Sequence, residues 1–297
     1  MNSAERHRIF RPNVTTIKLD SAEAAVVRHC MTASIMQLEH IKIQLSRGVK
    51  PRNLILDKGV IRRMMQALAG HLADISLMST LAIRHEINEA RALTRGKPSI
   101  FAAIERLPEP ESQTYTPDAG INWYKNYSLR IVGVEQAFIL EKAKQTILDS
   151  INAGLSTENQ IKQLEGVFLQ FSRGRLENIA RTETAKIYNQ DRWQIMNSED
   201  EIVGYEWSGI LDSRICERCS PRVGMKFPKD KIAGNCPPIH NQDRCILLPI
   251  FSWEVDSGDV TLEPIPKSIP PALDGFGSTS MMIPDVSREV RQVIRGI

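Results

Sequence analysis

The chain has 297 residues, of which 42% are hydrophobic and 25% charged, so it can bury a sizeable core and is expected to form two parts. A net charge of +3 is too small to indicate nucleic-acid binding by itself. The sequence contains no run of eighteen apolar residues, and its first ten residues, MNSAERHRIF, lack an apolar signal segment. We therefore expect no membrane contact, no secretion, and a reducing compartment in which disulfides are disfavoured.

The N-terminal part predicts a basic arm followed by two long helices. Residues 1–20 carry Arg6, Arg8, Arg11 and Lys18 with little apolar periodicity, which is typical of a flexible arm. Apolar residues then recur at helical spacing from residue 21 until Gly48, and again after Asp57 until Gly96. Two long helices in succession predict a helical hairpin over residues 21–96.

A change in composition predicts the main domain boundary. Residues 97–132 contain four prolines among polar side chains and are predicted to form a linker. The second domain would then cover residues 133–253. It opens with a helix that Gly154 ends, and Ser156 or Thr157 caps the next one. A further helix is predicted over residues 176–196.

The end of this second domain predicts a small sheet. After Asp200 the apolar period changes from 3.6 to 2, so Val203, Tyr205 and Trp207 are expected in a half-buried strand. Residues 223–227 and 246–251 supply two more short strands. The predicted fold class is α+β, mainly helical at first and ending in a small antiparallel sheet that zinc staples, with the zinc lobe at residues 201–253.

The composition of the last part of the chain predicts a flexible tail. Residues 254–297 lose apolar periodicity and gain proline and glycine, which favours a flexible Pro-rich segment. Valines and arginines near its end have the spacing of a short basic amphipathic helix.

Four of the five cysteines and the last histidine lie between residues 216 and 245. Cys216 and Cys219 form a CxxC knuckle, and His240 and Cys245 follow a segment rich in glycine and proline. Three thiolates and one imidazole in this order suit a tetrahedral structural Zn²⁺. Cys236 is an alternative ligand: either it displaces His240 or it stays a free thiol, and the spacing does not choose. A disulfide pair and unliganded thiols remain as further readings.

The wider segment carries a recognisable order of motifs. It contains ARTETAKIYNQDR at residues 180–192, GYEW at 204–207, DSRICERC at 212–219 and PPIHNQDRC at 237–245. In this order and spacing, residues 137–250 resemble the C-terminal domain of the phage Mu protein F-like head-morphogenesis family, minor capsid proteins of tailed phages. The motif residues outside the metal ligands, to which we assign a structural role, are Arg181, Thr182, Glu183, Trp207, Asp212 and Arg214.

One position departs from the family pattern. Asp243 stands where the family has the first cysteine of a Cys-Arg-Cys ending. Under the resemblance, this departure leaves Cys245 as the ligand and makes Cys236 a substitute.

The resemblance implies a minor head protein that acts in head morphogenesis. Its expected partners are portal or capsid proteins, with packaged DNA as a further candidate contact. Its expected location is the interior of the phage head, and the host cytoplasm during assembly.

Two other functions are compatible with a Cys/His cluster. A His-metal nuclease needs a further catalytic ligand, but no histidine follows His240. A zinc-ribbon nucleic-acid binder needs a basic surface, whereas the lysines here are offset by acidic residues. The segment HEINE at residues 85–89 lacks the second histidine of a zinc-protease motif. We therefore expect no catalytic residues and no enzymatic activity.

Overall fold

The computed structural model describes residues 13–94, 117–209, 215–274 and 276–278. Within these ranges the helices are α1 (Asn13–Ser46), α2 (Lys58–Thr94), α3 (Pro117–Asn152), α4 (Thr157–Ser198) and the short α5 (Ser252–Asp256). The strands are β1 (Ile202–Ser208), β2 (Lys226–Pro228) and β3 (Ile246–Phe251). The predicted α+β class, helical first and then a small antiparallel sheet, is confirmed.

Local signals in the sequence set several helix ends as predicted. The Asp57 carboxylate accepts the backbone N–H groups of Gly59 at 2.7 Å and Val60 at 3.1 Å, so it caps α2. Gly154, with φ of 70°, closes α3 in a left-handed conformation. Ser156 then caps α4, because its Oγ accepts the N–H of Asn159 at 3.4 Å.

Three helix boundaries differ from the predictions. α1 begins at Asn13, so residues 13–20 are helical rather than part of an arm, and residues 1–12 lie outside the described residues. α3 begins at Pro117, so the predicted linker cannot extend to residue 132; its residues 97–116 also lie outside the described part. Proline is favoured in the first turn of a helix, where its missing N–H costs nothing. The predicted helix over 176–196 is the second half of α4.

The described chain divides into two compact units. The helical unit includes residues 22–73 and 117–180. The sheet unit includes residues 13–21, 74–94, 181–209, 215–274 and 276–278. The divisions therefore fall inside α1, α2 and α4, not at the domain limits expected at residues 96 and 132. The independence of segment 133–253 stays a prediction.

The helical unit contains a loop that two glutamines hold in place. Gln37 donates to the carbonyl of Asp57 and accepts its N–H, both at 2.9 Å. Gln44 makes the equivalent pair with Ile55, at 2.7 and 3.0 Å. These bonds satisfy backbone groups between α1 and α2 that have no helical partner.

The sheet unit is built around β1, which lies between β2 and β3 and is antiparallel to both. Tyr205 faces Phe227 on β2 and Pro249 on β3. In β1 all residues except Val203 are buried. The strand was expected to be half-buried, and the difference arises because the sheet does not stand alone.

The core of the sheet unit includes residues from two long helices. Ile83, Ile87 and Ala90 of α2 pack in the same cluster as Met196 of α4 and Trp207 of β1. Helical residues that precede the sheet by more than a hundred positions therefore bury it, which the local pattern of β1 could not reveal.

Residues 260–277 also differ from the prediction of a flexible tail. The described part of this segment lies against the sheet unit: its Glu263 N–H bonds to the Lys226 carbonyl of β2 at 2.9 Å. Leu262 packs over Gly204 of β1, where an added Cβ would lie 2.8 Å from the leucine Cδ2. The predicted helix near the C-terminus lies outside the described residues.

None of the helices in the described ranges combines the length and apolar composition needed to cross a lipid bilayer.

Candidate metal centre

The first half of the site is a tight turn after β1. The N–H of Cys219 bonds to the Cys216 carbonyl at 3.1 Å and points to the Cys216 sulfur at 3.3 Å. Ser220 N–H reaches the same carbonyl at 2.9 Å. An N–H directed at sulfur stabilises a thiolate, which is the form that binds metal.

The second half of the site is the loop that leads into β3, and α4 holds this loop. Thr182 Oγ1 accepts the N–H of Gln242 at 3.1 Å. Asn189 Nδ2 donates to the carbonyl of Cys245 at 3.2 Å. Both anchors lie in the predicted motif of residues 180–192, so this helical segment positions the loop that carries His240 and Cys245.

The two halves meet at Cys219. His240 Nε2 lies 3.1 Å from the sulfurs of both Cys216 and Cys219. The ligand atoms of these three residues lie within 4.8 Å of one another, as do those of Cys219, Asp243 and Cys245. A tetrahedral Zn²⁺ with Zn–S bonds of ~2.3 Å separates its ligand atoms by about 3.8 Å, so both groups could hold a metal ion.

The histidine is held in the tautomer that a metal needs. His240 Nδ1 lies 2.6 Å from the Asn241 carbonyl oxygen. Because that oxygen only accepts, Nδ1 carries a proton, which leaves Nε2 as the ring nitrogen that could bind a metal.

Asp243 has contacts at the site that its sequence position did not predict. One oxygen of its buried carboxylate accepts the N–H of Cys245 at 2.8 Å, and the other accepts that of Ile239 at 2.9 Å. The Cys219 sulfur is 3.5 Å away. Asp243 therefore braces the loop on both sides of His240 and is also a candidate ligand. Its position in place of a family cysteine was the available signal.

Cys236 lies apart from the cluster. Among the described residues it belongs to neither potential metal-binding group. Its sulfur lies 3.6 Å from the Pro237 carbonyl, and burial raises its thiol pKa to about 12, so it stays protonated.

Groups of opposite charge lie close together at the cluster. A hydrogen bond with Cys245, burial, and the nearby Asp243 charge raise the pKa of Cys219 far above its ordinary value. The buried guanidinium of Arg222 lies near the same groups; burial lowers its pKa, while the negative charges of Cys219 and Asp243 raise it. Thiolates crowded in this way need cations beside them.

The motif residues that are not proposed metal ligands differ in their contacts and burial. Glu183 forms an ion pair with Lys186 on the same helix at 3.0 Å. Trp207 is fully buried, and the Arg222 guanidinium carbon lies 5.6 Å from its ring centroid. Arg181 is partly exposed. Asp212 and Arg214 lie outside the described residues.

These contacts define a class of small α+β unit, in which Cys/His loops at one end of a three-stranded sheet are docked on a long helix. Residues 141–248 match the model of the family described as Phage Mu protein F like protein, a family of head-morphogenesis proteins. The match runs from α3 to β3 and confirms the resemblance over that segment. No curated protein and no solved structure matches the chain.

Proposed function

We propose that the protein is a minor head protein of a tailed phage that acts in head morphogenesis. The observation that carries this proposal is the family match over residues 141–248, which contains all four predicted metal ligands. Its partners would be portal or inner capsid proteins, with packaged DNA as a further contact. It would act in the host cytoplasm during assembly and stay in the head interior.

The proposed cofactor is one structural Zn²⁺ held by Cys216, Cys219, His240 and Cys245. Support comes from the donor set and from the orientation of His240 Nε2. Cys216, Cys219 and His240 form one potential metal-binding group, and Cys245 belongs to the second group, which shares Cys219. When bound, Zn²⁺ would cross-link the loop after β1 to the loop before β3. Asp243, which already accepts two backbone N–H groups, would hold the second loop in place for the metal.

We also propose that this centre has no hydrolytic activity. Four protein ligands would complete a tetrahedral site and leave no position for a reactive water. Zinc-loaded protein should therefore show no nuclease or protease turnover. Turnover that disappears in a folded His240→Ala variant would contradict the structural role.

Head assembly provides the direct test of the function. A phage that lacks the gene is complemented with the tagged chain, and its heads are purified, treated with DNase and analysed by mass spectrometry. The chain should remain in the heads at a constant ratio to the portal protein. A chain that stays outside the heads of an otherwise complemented phage would overturn the proposal, and cross-linking would distinguish portal from capsid contact.

A further inference from the structure

The connection between α1 and α2 is strongly basic. We define the basic segment as residues 47–63, which include this connection and the first turns of α2 in the helical unit. It contains a single acidic residue, Asp57, and six cations: Arg47, Lys50, Arg52, Lys58, Arg62 and Arg63. The whole chain has a net charge of only +3, so positive charge is distributed unevenly along it.

Hydrogen bonds hold the backbone of the basic segment in place. α1 ends where Gly48, with φ of 76°, donates its N–H to the Leu45 carbonyl at 2.9 Å. A 3-10 turn over Pro51–Asn53 follows. The side-chain bonds of Gln37 and Gln44 described above then join α1 to the part of the segment that precedes α2. A surface that is ordered in advance loses little conformational freedom when it binds a partner.

The apolar residues of the segment are mostly buried, whereas its cations face the solvent. Four apolar side chains pack into the core: Leu54, Leu56, Val60 and Ile61. All six cations are exposed. Lys58 and Arg62 are one helical turn apart on α2 and therefore share a face. The fold thus presents the charge of the segment at the surface.

The carboxylate of the segment has a structural role. Asp57 accepts the backbone N–H groups of Gly59 and Val60 as the cap of α2. Within the described part of the chain, four of the six cations make no ion pair: Arg47, Lys50, Arg52 and Arg63. These cations are available to an anionic partner.

The side chains of the basic segment favour a duplex phosphate backbone as that partner. Four of the six cations are arginines, whose planar fork of N–H donors matches a phosphate group. The exposed large apolar side chain of the segment is Ile55, a small area for membrane insertion or for the centre of a protein interface. Single strands bind by stacking bases on aromatic rings, and residues 47–63 contain no aromatic residue.

We propose that the basic segment binds the phosphate backbone of duplex DNA. The segment lies outside residues 141–248, so the family match does not assign this contact. The choice of DNA as the partner rests on the proposed function, because packaged DNA is the polyanion inside a phage head. Cations that neutralise phosphates release counterions, so the affinity should fall steeply with salt and should not depend on base sequence.

Fluorescence anisotropy of a short labelled duplex, titrated with the full chain at about 50 to 200 mM salt, tests this contact. The wild type should bind two unrelated sequences with equal affinity. The triple variant Arg47→Gln, Arg52→Gln, Arg63→Gln should bind at least about tenfold more weakly at the lowest salt. The slope of log K against log salt concentration should become shallower by roughly 0.9 for each phosphate contact that is lost.

A matched triple variant removes the same charge elsewhere. Arg28→Gln, Arg84→Gln and Lys267→Gln each replace an exposed cation outside the basic segment. Together they should leave the slope unchanged. Equal weakening in both triple variants would overturn the proposal, because binding would then follow net charge alone. If the first triple variant does not fold, Arg52→Gln alone should reduce the slope by roughly 0.9, and an unchanged slope would overturn the contact.

The other arms of the experiment identify a different partner. Equal or stronger binding to single-stranded DNA of the same length would contradict the duplex assignment. Binding to phosphatidylglycerol vesicles without binding to the duplex would assign the basic segment to a membrane surface and overturn the proposal.

Head incorporation is measured separately, so the two proposals can fail independently. A chain that enters heads but does not bind the duplex would overturn the DNA contact and leave the proposed function intact. A chain that binds the duplex through the basic segment but stays outside the heads would contradict the proposed function and support the contact.

Discussion

The Arg192 guanidinium donates a 2.6 Å hydrogen bond to the Glu86 carboxylate, and both side chains are buried inside the sheet unit. Burial raises the pKa of Glu86 to about 7, although the positive charge of Arg192 acts against that shift. The pair joins α2 to the segment of α4 that lies in the family match. Residues of α2 thus contribute to the core of the unit that contains the candidate metal centre.

Removal of one partner of this pair should be strongly destabilising. Arg192→Met leaves a buried carboxylate without its cation and should lower the free energy of unfolding by about 3–5 kcal/mol in urea titration. Adding Glu86→Leu to that variant should recover much of the loss, because no buried charge remains. Lys162→Met breaks the exposed 2.8 Å pair with Glu158 and should change stability by less than about 1 kcal/mol. Equal effects of Arg192→Met and Lys162→Met would contradict the importance of burial.

Ionisation of the Asp191 carboxyl should lower the free energy of unfolding as pH rises. Burial raises the pKa of this carboxyl from 3.8 to about 6, with a hydrogen bond from Ser76 acting in the opposite direction. Between these two values the folded protein holds a proton that the unfolded chain has released, so this contribution to stability is full below pH 3.8 and lost as pH passes 6. The limiting slope for one proton is about 1.4 kcal/mol per pH unit.

Asp191→Asn removes this titration. The difference in urea midpoint between the variant and the wild type should shift in favour of the variant from pH 4 to pH 6.5 and then stay constant. Comparison at each pH cancels the titration of the other groups. A difference independent of pH would show that Asp191 is not perturbed in the folded protein.

Zinc content should distinguish the four proposed ligands from Cys236. Elemental analysis should give about one zinc per chain for the wild type and almost none for Cys216→Ser, Cys219→Ser, His240→Ala or Cys245→Ser. Cys236→Ser is the matched control, because this thiol lies outside both potential metal-binding groups among the described residues. It should keep the metal. Loss of zinc in Cys236→Ser alone would contradict the proposed ligand set and make Cys236 a ligand.

Asp243→Asn should keep the stoichiometry of the metal but weaken its affinity about 10–100-fold, the usual range for residues that orient ligands. The amide oxygen can still accept one of the two N–H bonds made by the carboxylate. Competition with a chelator of known affinity measures the change. Complete metal loss in Asp243→Asn, together with retention in Cys245→Ser, would make Asp243 the fourth ligand.

Close packing at Gly204 should make this position intolerant of a methyl group. A Cβ there would lie 2.7 Å from the Phe227 carbonyl oxygen and 2.8 Å from Leu262 Cδ2. Gly204→Ala should therefore lower the free energy of unfolding by about 1–3 kcal/mol. Gly166→Ala, on α4 with open space around it, should instead raise it by about 0.5–1 kcal/mol. A neutral Gly204→Ala would mean that Leu262 does not pack on β1.

Local chemistry in the sequence determined much of the secondary structure and half of the site. Asp57, Gly154 and Ser156 mark helix ends because each makes its contacts within a few residues. The Cys/His spacing also identified the segment that contains both potential metal-binding groups of the described residues, since a CxxC turn needs only local backbone geometry. The motif of residues 180–192 was recognisable as well, but its work of holding the metal loop through Thr182 and Asn189 was not.

Tertiary structure alone decided which buried faces meet. Helical periodicity shows that one side of α2 is apolar, but it does not show that Ile83 and Ile87 pack with Trp207. Proline-rich composition predicted a flexible tail, whereas backbone hydrogen bonds from Leu273 and Gly277 join the described part of this segment to the residues before His240. No local pattern in the sequence marks Arg222 or Glu86 as buried. Their burial depends on partners supplied by distant segments, and Glu86 and Arg192 are 106 positions apart, a separation that local patterns do not span.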